Sequence, residues 1–452
     1  MEYATAAADG VAKAATSTVA PSDAPSRRGA KSFEAVAQAI AQPTAAHKEL
    51  ADLSYCTATA GPTPLHVRGF GSGCFAEPAH LYLESFVPSD ASKWRLNLFI
   101  LHGQSGYVGR YYRHFPRLLE QGVGIFAFDY RGHGRSSGGQ RGLLPSVALL
   151  AEDASHVLAA FAPRLRDRPT FVIGVSNGAM VALQLMIDKG EEPWADLAVP
   201  IKGFLLLAPF LQPYQAVTTP KALWRPLWAV ARCFPKLTVP AKDDHLKTLP
   251  LSRCPENFIF DDPLVYTGPM SLLTGLTSLY FGQEAIRRAH EITAPFFILC
   301  AEVDYLAKLE ANVELHERAA SADKTIKVYE GAYHALLIEP EECVDEVWAD
   351  ALAWMGERCG GPAGAPPPSP PPSASGDALD TWLAKQARIE QLQLQAAHRL
   401  GRVALARGWQ AWVDCHLETL DRRLAALDAH IDAAAIAAEE DAWARAEFGL
   451  DA

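Results

Sequence analysis

Nowhere in the 452 residues does an uninterrupted apolar run approach the roughly 20 residues that a membrane-spanning helix needs. The N-terminus also lacks the short hydrophobic core of a secretory signal. Missing too is any Cys-x-x-Cys pair: the eight cysteines stand singly at 56, 74, 233, 254, 300, 343, 359 and 415, without the common spacings of zinc sites and redox dithiols. Free thiols in a reducing, cytoplasmic compartment are the expectation, with no metal or other cofactor. Positive charge is in short supply. Lysine and arginine total 41 against 52 aspartates and glutamates, a formal charge of -11 that repels a phosphate backbone, so nucleic acid is not an expected partner.

The length points to one large domain with appended segments. Residues 1–50 are rich in Ala, Ser, Thr and Pro, as some organelle transit peptides are, but Glu2, Asp9 and Asp23 run against that reading and favour a disordered leader. The large domain is expected over 51–358, and between about 80 and 358 short β-branched and aromatic runs alternate with longer amphipathic stretches, the pattern of an α/β domain with a mostly parallel sheet and helices on both faces. Strands are predicted at 96–101, 123–128, 170–173, 204–207, 296–300 and 326–329, mostly apolar runs suited to burial on both sides. Helices are predicted at 147–161, 179–188 and 341–355. The proline- and aromatic-rich stretch from about 212 to 288 breaks this rhythm and reads as an inserted cap over the site. Residues 359–376 form a Pro/Gly/Ser-rich linker that cannot pack a core. Beyond it, 377–452 reads as a helical tail, in which Val413, Leu417, Leu420, Leu424, Leu427 and Ile431 recur at alternating steps of four and three. That stripe calls for self-association or another helical partner. Trp409 and Trp412 loosely resemble the tryptophan-bearing helices that bind calmodulin or centrin.

The chemistry concentrates at Gly174-Val-Ser176-Asn-Gly178, which joins a predicted strand to a predicted helix. That context suits a nucleophile elbow: glycines at 174 and 178 permit a tight turn, and a side chain at either place would collide with neighbouring structure. The plain alternative is a glycine-rich turn carrying an idle serine. A serine hydroxyl is a weak nucleophile, so it needs a base within reach and a third group to orient that base. His334 follows the last predicted strand and Asp304 the preceding one, so both fall at carboxyl ends of parallel strands, where open α/β sheets place their sites. Glu302 is the rival orienting carboxylate, but it lies closer to the strand end, where side chains are more constrained. Other histidines have bland readings: His316 on a helix surface, His133 as a turn residue held by backbone bonds. Acyl transfer also needs donors for an oxyanion, and the backbone N–H groups of Gln104 and Asn177 are the candidates.

Several segments together resemble the monoacylglycerol lipase family of α/β-hydrolases, with its lysophospholipase-like and serine aminopeptidase S33 relatives. They are Leu101-His-Gly103 with Gly109-Arg110-Tyr111, Phe128-Asp-Tyr-Arg-Gly-His-Gly-Arg-Ser136, Gly174-Val-Ser-Asn-Gly178, Asp261-Asp-Pro-Leu264 and Tyr329-Glu-Gly-Ala-Tyr-His334. The resemblance spans about 80–358 and implies the α/β-hydrolase fold, Ser176, Asp304 and His334 as a triad, Gln104 and Asn177 as oxyanion amides, and a long-chain glycerol ester as prototype substrate. Two departures stand out. The family's His-Gly-x-Gly-Glu-His loop reads His102-Gly-Gln-Ser-Gly106-Tyr107 here, without the acidic residue near the alcohol site, and Ala301 replaces the glycine that opens the Asp loop.

Within the cap, Lys221, Arg225, Arg232 and Lys236 fall in a narrow helical arc, opposite Leu223, Leu227, Val230, Ala231 and Phe234. Trp224 and Trp228 lie between the two faces, as aromatic rings do at a membrane surface. The alternative is simple packing on the hydrolase core. With Arg110, these residues are candidates for contact with substrate, cap or interface. The expected activity is therefore hydrolysis of a lipid-like carboxylic ester through an acyl-enzyme. Lysophospholipase, general carboxylesterase and acyltransferase are enzymatic alternatives, and a ligand-binding scaffold on a hydrolase fold is one of another class.

Overall fold

A computed structural model describes residues 79–138, 140–165, 167–189, 199, 201–214, 224–238, 252–253 and 262–359, and the backbone of 56–67. The leader, the helical tail and all but the first residue of the linker lie outside the described residues, as does much of the proposed cap.

Eight strands form one sheet: β1 (Cys56–Val67), β2 (Ala79–Pro88), β3 (Leu96–Leu101), β4 (Val123–Phe128), β5 (Thr170–Val175), β6 (Ile201–Leu207), β7 (Phe296–Ala301) and β8 (Lys324–Tyr329). Their spatial order is β1-β2-β4-β3-β5-β6-β7-β8. β2 runs antiparallel to both β1 and β4, and every pairing from β4 to β8 is parallel. Burial explains the central strands. All six residues of β3, of β4 and of β7 are buried, so uninterrupted apolar runs replace the alternation of a half-exposed sheet. β8 is the far edge and differs accordingly: Lys324 and Lys327 enter it, and Lys327 binds Glu346 and Asp350 beside the edge.

Seven helices are described: α1 (Phe115–Glu120), α2 (Val147–Leu165), α3 (Asn177–Lys189), α4 (Trp224–Cys233), α5 (Leu272–Arg287), α6 (Leu309–Arg318) and α7 (Glu341–Glu357). One face of the sheet, through Leu98, Ile100, Ile125, Ile173, Leu205 and Leu299, packs against Phe115 and Leu118 of α1 and Val344, Val347 and Trp348 of α7. Phe126 has the opposite parity and meets Phe161 of α2, at 5.1 Å between ring centroids, which puts α2 on the other face. The hydrolase-type layering expected from the sequence is thus observed, helices on both faces of a mostly parallel sheet.

The differences lie at the edge and in boundaries. β1 and β2 escape a search for apolar runs because β2 contains Glu84 and Ser85. Both are buried, Glu84 accepting from Tyr112 Oη at 2.5 and 2.6 Å and Ser85 from an Arg164 guanidinium at 2.6 Å. His316, expected at a helix surface, is half-buried, its ring edge-on to Phe296 at 6.1 Å.

Candidate active site

The elbow begins with β5. Ser176 has φ +55, the left-handed region that a serine adopts only under constraint, and the hydrogen bonds around it supply that constraint. Its N–H donates to Leu207 O of β6 at 2.8 Å, and its carbonyl accepts from Ala179 N at 3.0 Å as α3 starts. Both glycines are required by close backbone approach. A Cβ on Gly174 would lie 2.6 Å from Ala179 N, and one on Gly178 would overlap Leu101 O and sit 2.8 Å from His102 O. The turn that carries Ser176 is therefore wedged against the end of β3.

From that turn a chain of hydrogen bonds runs through His334 to Asp304. Ser176 Oγ lies 2.9 Å from His334 Nε2, and His334 Nδ1 lies 2.6 Å from Asp304 Oδ2. An ionised carboxylate only accepts, so Nδ1 carries a proton toward Asp304 and the neutral ring leaves Nε2 to accept from the serine hydroxyl. Asp304 is itself fixed, Oδ1 accepting from Leu306 N and Ala307 N at 2.8 Å each. Asp304 and His334 are both nearly buried, and Ser176 is half-buried. Glu302 has a different partner. Its Oε2 accepts from Gly331 N at 2.8 Å, tying the start of the histidine loop to the end of β7.

Beside Ser176, where a Cβ on Gly103 would lie 3.7 Å from the serine Cβ, the loop after β3 is held at several points. His102 is buried; its Nε2 accepts from Tyr130 N at 3.0 Å, so Nδ1 donates to Gly103 O at 2.8 Å. Burial and the nearby His133 hold its pKa well below the usual 6.5, which keeps the ring neutral in that tautomer. Gly103 N donates to Tyr111 Oη at 3.2 Å. Ser105 has φ +64, at the place where the family pattern has glycine, and its carbonyl accepts from Tyr266 N at 2.8 Å. Tyr107 Oη donates to Asp262 Oδ2 at 2.6 Å. The segment beginning at Asp262, within the stretch read from the sequence as a cap, thus touches the loop that carries Gln104.

Asn177 is the first residue of α3, and the opening N–H groups of a helix have no intrahelical acceptor. Its side chain is engaged: Asn177 Nδ2 donates to Gln104 Oε1 at 3.2 Å, and Gln104 Nε2 donates to Gly142 O at 2.6 Å. Sequence reading gave weight only to the two backbone amides and missed this side-chain bond. Arg110 lies beside the same loop; a Cβ on Gly106 would come within 3.2 Å of its Cδ. Burial lowers its pKa, countered by Tyr111, Asp262 and Tyr107 nearby. Trp224 and Trp228 stand apart from the elbow, half-buried with Leu227 on a cluster of Leu143, Ala231, Leu273 and Leu276.

Residues 92–341, more than half of the chain, match the family described as serine aminopeptidase, S33. The chain belongs to this hydrolase family. Over 284 residues the hydrolase is 26% identical to the monoglyceride lipase of Homo sapiens, covering 63% of this chain and 89% of the human protein. It is 28% identical over 258 residues to the monoacylglycerol lipase of Mycolicibacterium smegmatis, covering 57% of this chain and 86% of the relative. It is also 27% identical over 288 residues to the caffeoylshikimate esterase of Arabidopsis thaliana, covering 62% and 82%. Among solved structures, a soluble variant of monoglyceride lipase from Saccharomyces cerevisiae, in complex with a substrate analog, has a TM-score of 0.54 at 18% identity. That alignment covers 67% of this chain and 97% of the yeast one, a likeness of fold. Family, fold and named relatives together make the chain a serine ester hydrolase of the α/β-hydrolase fold.

Proposed function

We propose that the hydrolase cleaves carboxylic esters of lipid-like alcohols through a Ser176 acyl-enzyme, with monoacylglycerols as the leading substrate class. The observation that carries this reading is the series Ser176 Oγ to His334 Nε2 at 2.9 Å and His334 Nδ1 to Asp304 Oδ2 at 2.6 Å. His334 takes the hydroxyl proton as Ser176 attacks the ester carbonyl, and Asp304 stabilises the imidazolium that forms. The tetrahedral oxyanion is received by the N–H groups of Gln104 and Asn177. His334 then returns its proton to the departing alcohol, and a water activated by the same ring releases the acid.

The substrate class draws on the names of the relatives, two of them monoglyceride or monoacylglycerol lipases. Gly106 and Tyr107 replace an acidic residue and a histidine of the family loop, so glycerol selectivity should be weaker than the lipid preference itself. Exposed Phe234 and Leu237, which follow α4 directly, with Arg225 and Lys236 exposed nearby, suit docking of the cap on a lipid surface. No described helix is long and apolar enough to cross a membrane.

The deciding experiment pairs a fluorophosphonate probe with Ser176→Ala. Labelling should map to Ser176, and the variant should lose on the order of 10⁴-fold or more in kcat on p-nitrophenyl esters. Full activity in Ser176→Ala, or labelling elsewhere, overturns the reading. Monoacylglycerol, lysophospholipid and short acyl esters compared at equal concentration then rank the substrate classes.

A further inference from the structure

Gln104 and Asn177 are 73 residues apart in sequence, yet they meet twice over. Their backbone amides are the proposed oxyanion donors, and their side chains are hydrogen-bonded to each other. The orientation of that bond is determined by its surroundings. Gly142 O can only accept, so Gln104 must present Nε2 to it, which turns Oε1 toward Asn177 and requires Asn177 to offer Nδ2.

The far anchor is well fixed. Gly142 adopts φ +70 and donates its own N–H to Gly132 O at 3.0 Å. Its α-carbon faces the ring of Tyr266, which leaves no room for a side chain there: a Cβ would lie 2.5 Å from Tyr266 Cγ. Tyr266 in turn donates its N–H to Ser105 O at 2.8 Å, one residue beyond Gln104. The path therefore closes on itself, from the Gln104 side chain to Gly142, across to Tyr266, and back to the loop at Ser105. Within this circuit the Gln104 carboxamide has one rigid attachment and passes it on to Asn177, which is 7% exposed.

We propose that the Gln104 side chain is a positioning residue for the reaction, bracing Asn177 so that the two amides that receive the oxyanion keep their separation. The inference rests on the acyl-enzyme reading above and adds to it a role for side chains. Oxyanion donors act only when already aimed at the developing charge, and a small error in their spacing weakens the transition state more than the ground state. The brace should therefore show in kcat and leave substrate binding nearly alone.

The test is a cycle of Gln104→Met, Asn177→Ala and the double variant, assayed on a soluble p-nitrophenyl ester and with a trifluoromethyl ketone as transition-state analogue. Each single variant should lower kcat by about tenfold, a fraction of the loss of a whole oxyanion donor, with KM changed by less than about twofold. Affinity for the analogue should fall in parallel with kcat. The double variant should be no more than about twofold worse than either single one, because one bond is lost only once. Unchanged kcat in Gln104→Met, losses that multiply in the double variant, or a change confined to KM would each overturn the proposal. Should Gln104→Met not fold, Asn177→Ala breaks the same bond with the Gly142 attachment intact, and full kcat there is equally decisive. Failure of the underlying reading looks different: Ser176→Ala would stay active. Failure of the brace alone leaves Ser176→Ala inactive and Gln104→Met at full rate.

Discussion

Ser105 holds a left-handed backbone, φ +64, without glycine's freedom. For an ordinary L-residue that conformation costs roughly 1–2 kcal/mol, and a β-branched side chain raises the cost. Ser105 already bears that cost, so Ser105→Val adds only the β-branch increment and should lower the unfolding free energy by about 1 kcal/mol or less, read as a shift in the urea midpoint, whereas Ser105→Gly should leave it level or slightly raised. Because Ser105 lies between Gln104 and the Tyr266 contact, kcat in Ser105→Val should fall as well. At this scale the sequence was legible where one residue type has one reason to be there. Gly174 and Gly178 are needed because backbone comes within contact of their α-carbons, and their spacing around Ser176 signals as much. Asp304 against Glu302 is a matter of which carboxylate faces the ring, and the geometry separates them: Asp304 meets His334 while Glu302 meets Gly331 N. The Gln104–Asn177 bond carries no local signal at all, since it depends on how two loops converge at the end of the sheet. His316 misleads for a related reason: the apolar Phe296 that half-buries it belongs to another element.

Among the elements, those buried on both faces were readable because uninterrupted apolar runs leave little alternative. β3, β4 and β7 occupy the predicted places to within a residue. β2 was not readable, because its buried Glu84 looks like a surface residue until Tyr112 and Arg135 are brought to it from later in the chain. α4 shows how an arc of side chains fixes amphipathicity but not which way the helix faces. In α4 and the turn after it, Trp228 turns inward to meet Tyr280 at 6.1 Å, while Phe234 and Leu237 are 63% and 44% exposed. If that exposed edge meets lipid, Phe234→Ser with Leu237→Ser should reduce hydrolysis of a vesicle-embedded ester by about tenfold or more, since each side chain forfeits about 1.5–3 kcal/mol of burial. Hydrolysis of a soluble short-chain ester should be unchanged. Equal loss on both substrates would indicate a folding defect instead.

Across the whole molecule, stability should depend on pH through histidines that the fold keeps neutral. Burial pushes His114 down to about 3 and His133 down to about 4, and His102 lies well below 6.5. The unfolded chain takes up protons near pH 6.5 and the folded one does not, so these residues favour the folded state above 6.5 and lose that advantage as pH falls toward 4. Asp129 acts in the opposite sense. Burial and Glu84 raise it to about 7, so the folded chain retains a proton that the unfolded chain releases above about 4, and its contribution is lost as pH rises. Burial also lowers His316 and raises Asp153, so among the described residues four histidines stand against two carboxyls and leave a net loss on acidification, at about 1.4 kcal/mol per pH unit for each net proton. Urea midpoints measured between pH 7 and 5 should therefore fall. The slope should be shallower in His114→Gln, which can still donate to Leu337 O but has no ring to protonate.

The segment read from the sequence as a cap lies between β6 and β7, which are hydrogen-bonded, parallel neighbours. A parallel pair sends its connection from the carboxyl end of one strand to the amino end of the next, so the chain must travel back along the length of the sheet, roughly 20 Å at about 3.3 Å per residue, before β7 begins. Part of the segment is therefore frame: its last helix, α5, returns against the body of the domain, where Thr274 Oγ1 accepts from Leu144 N at 3.0 Å and Gly282 lies against the Leu211 carbonyl. Ahead of α5, Asp262 and Tyr266 bond to Tyr107 and Ser105 and so tie the segment to the loop after β3 as well. Chimaeras that change this stretch should therefore be cut ahead of Asp262, leaving Asp262, Tyr266 and α5 with the frame that holds Ser176, Asp304 and His334.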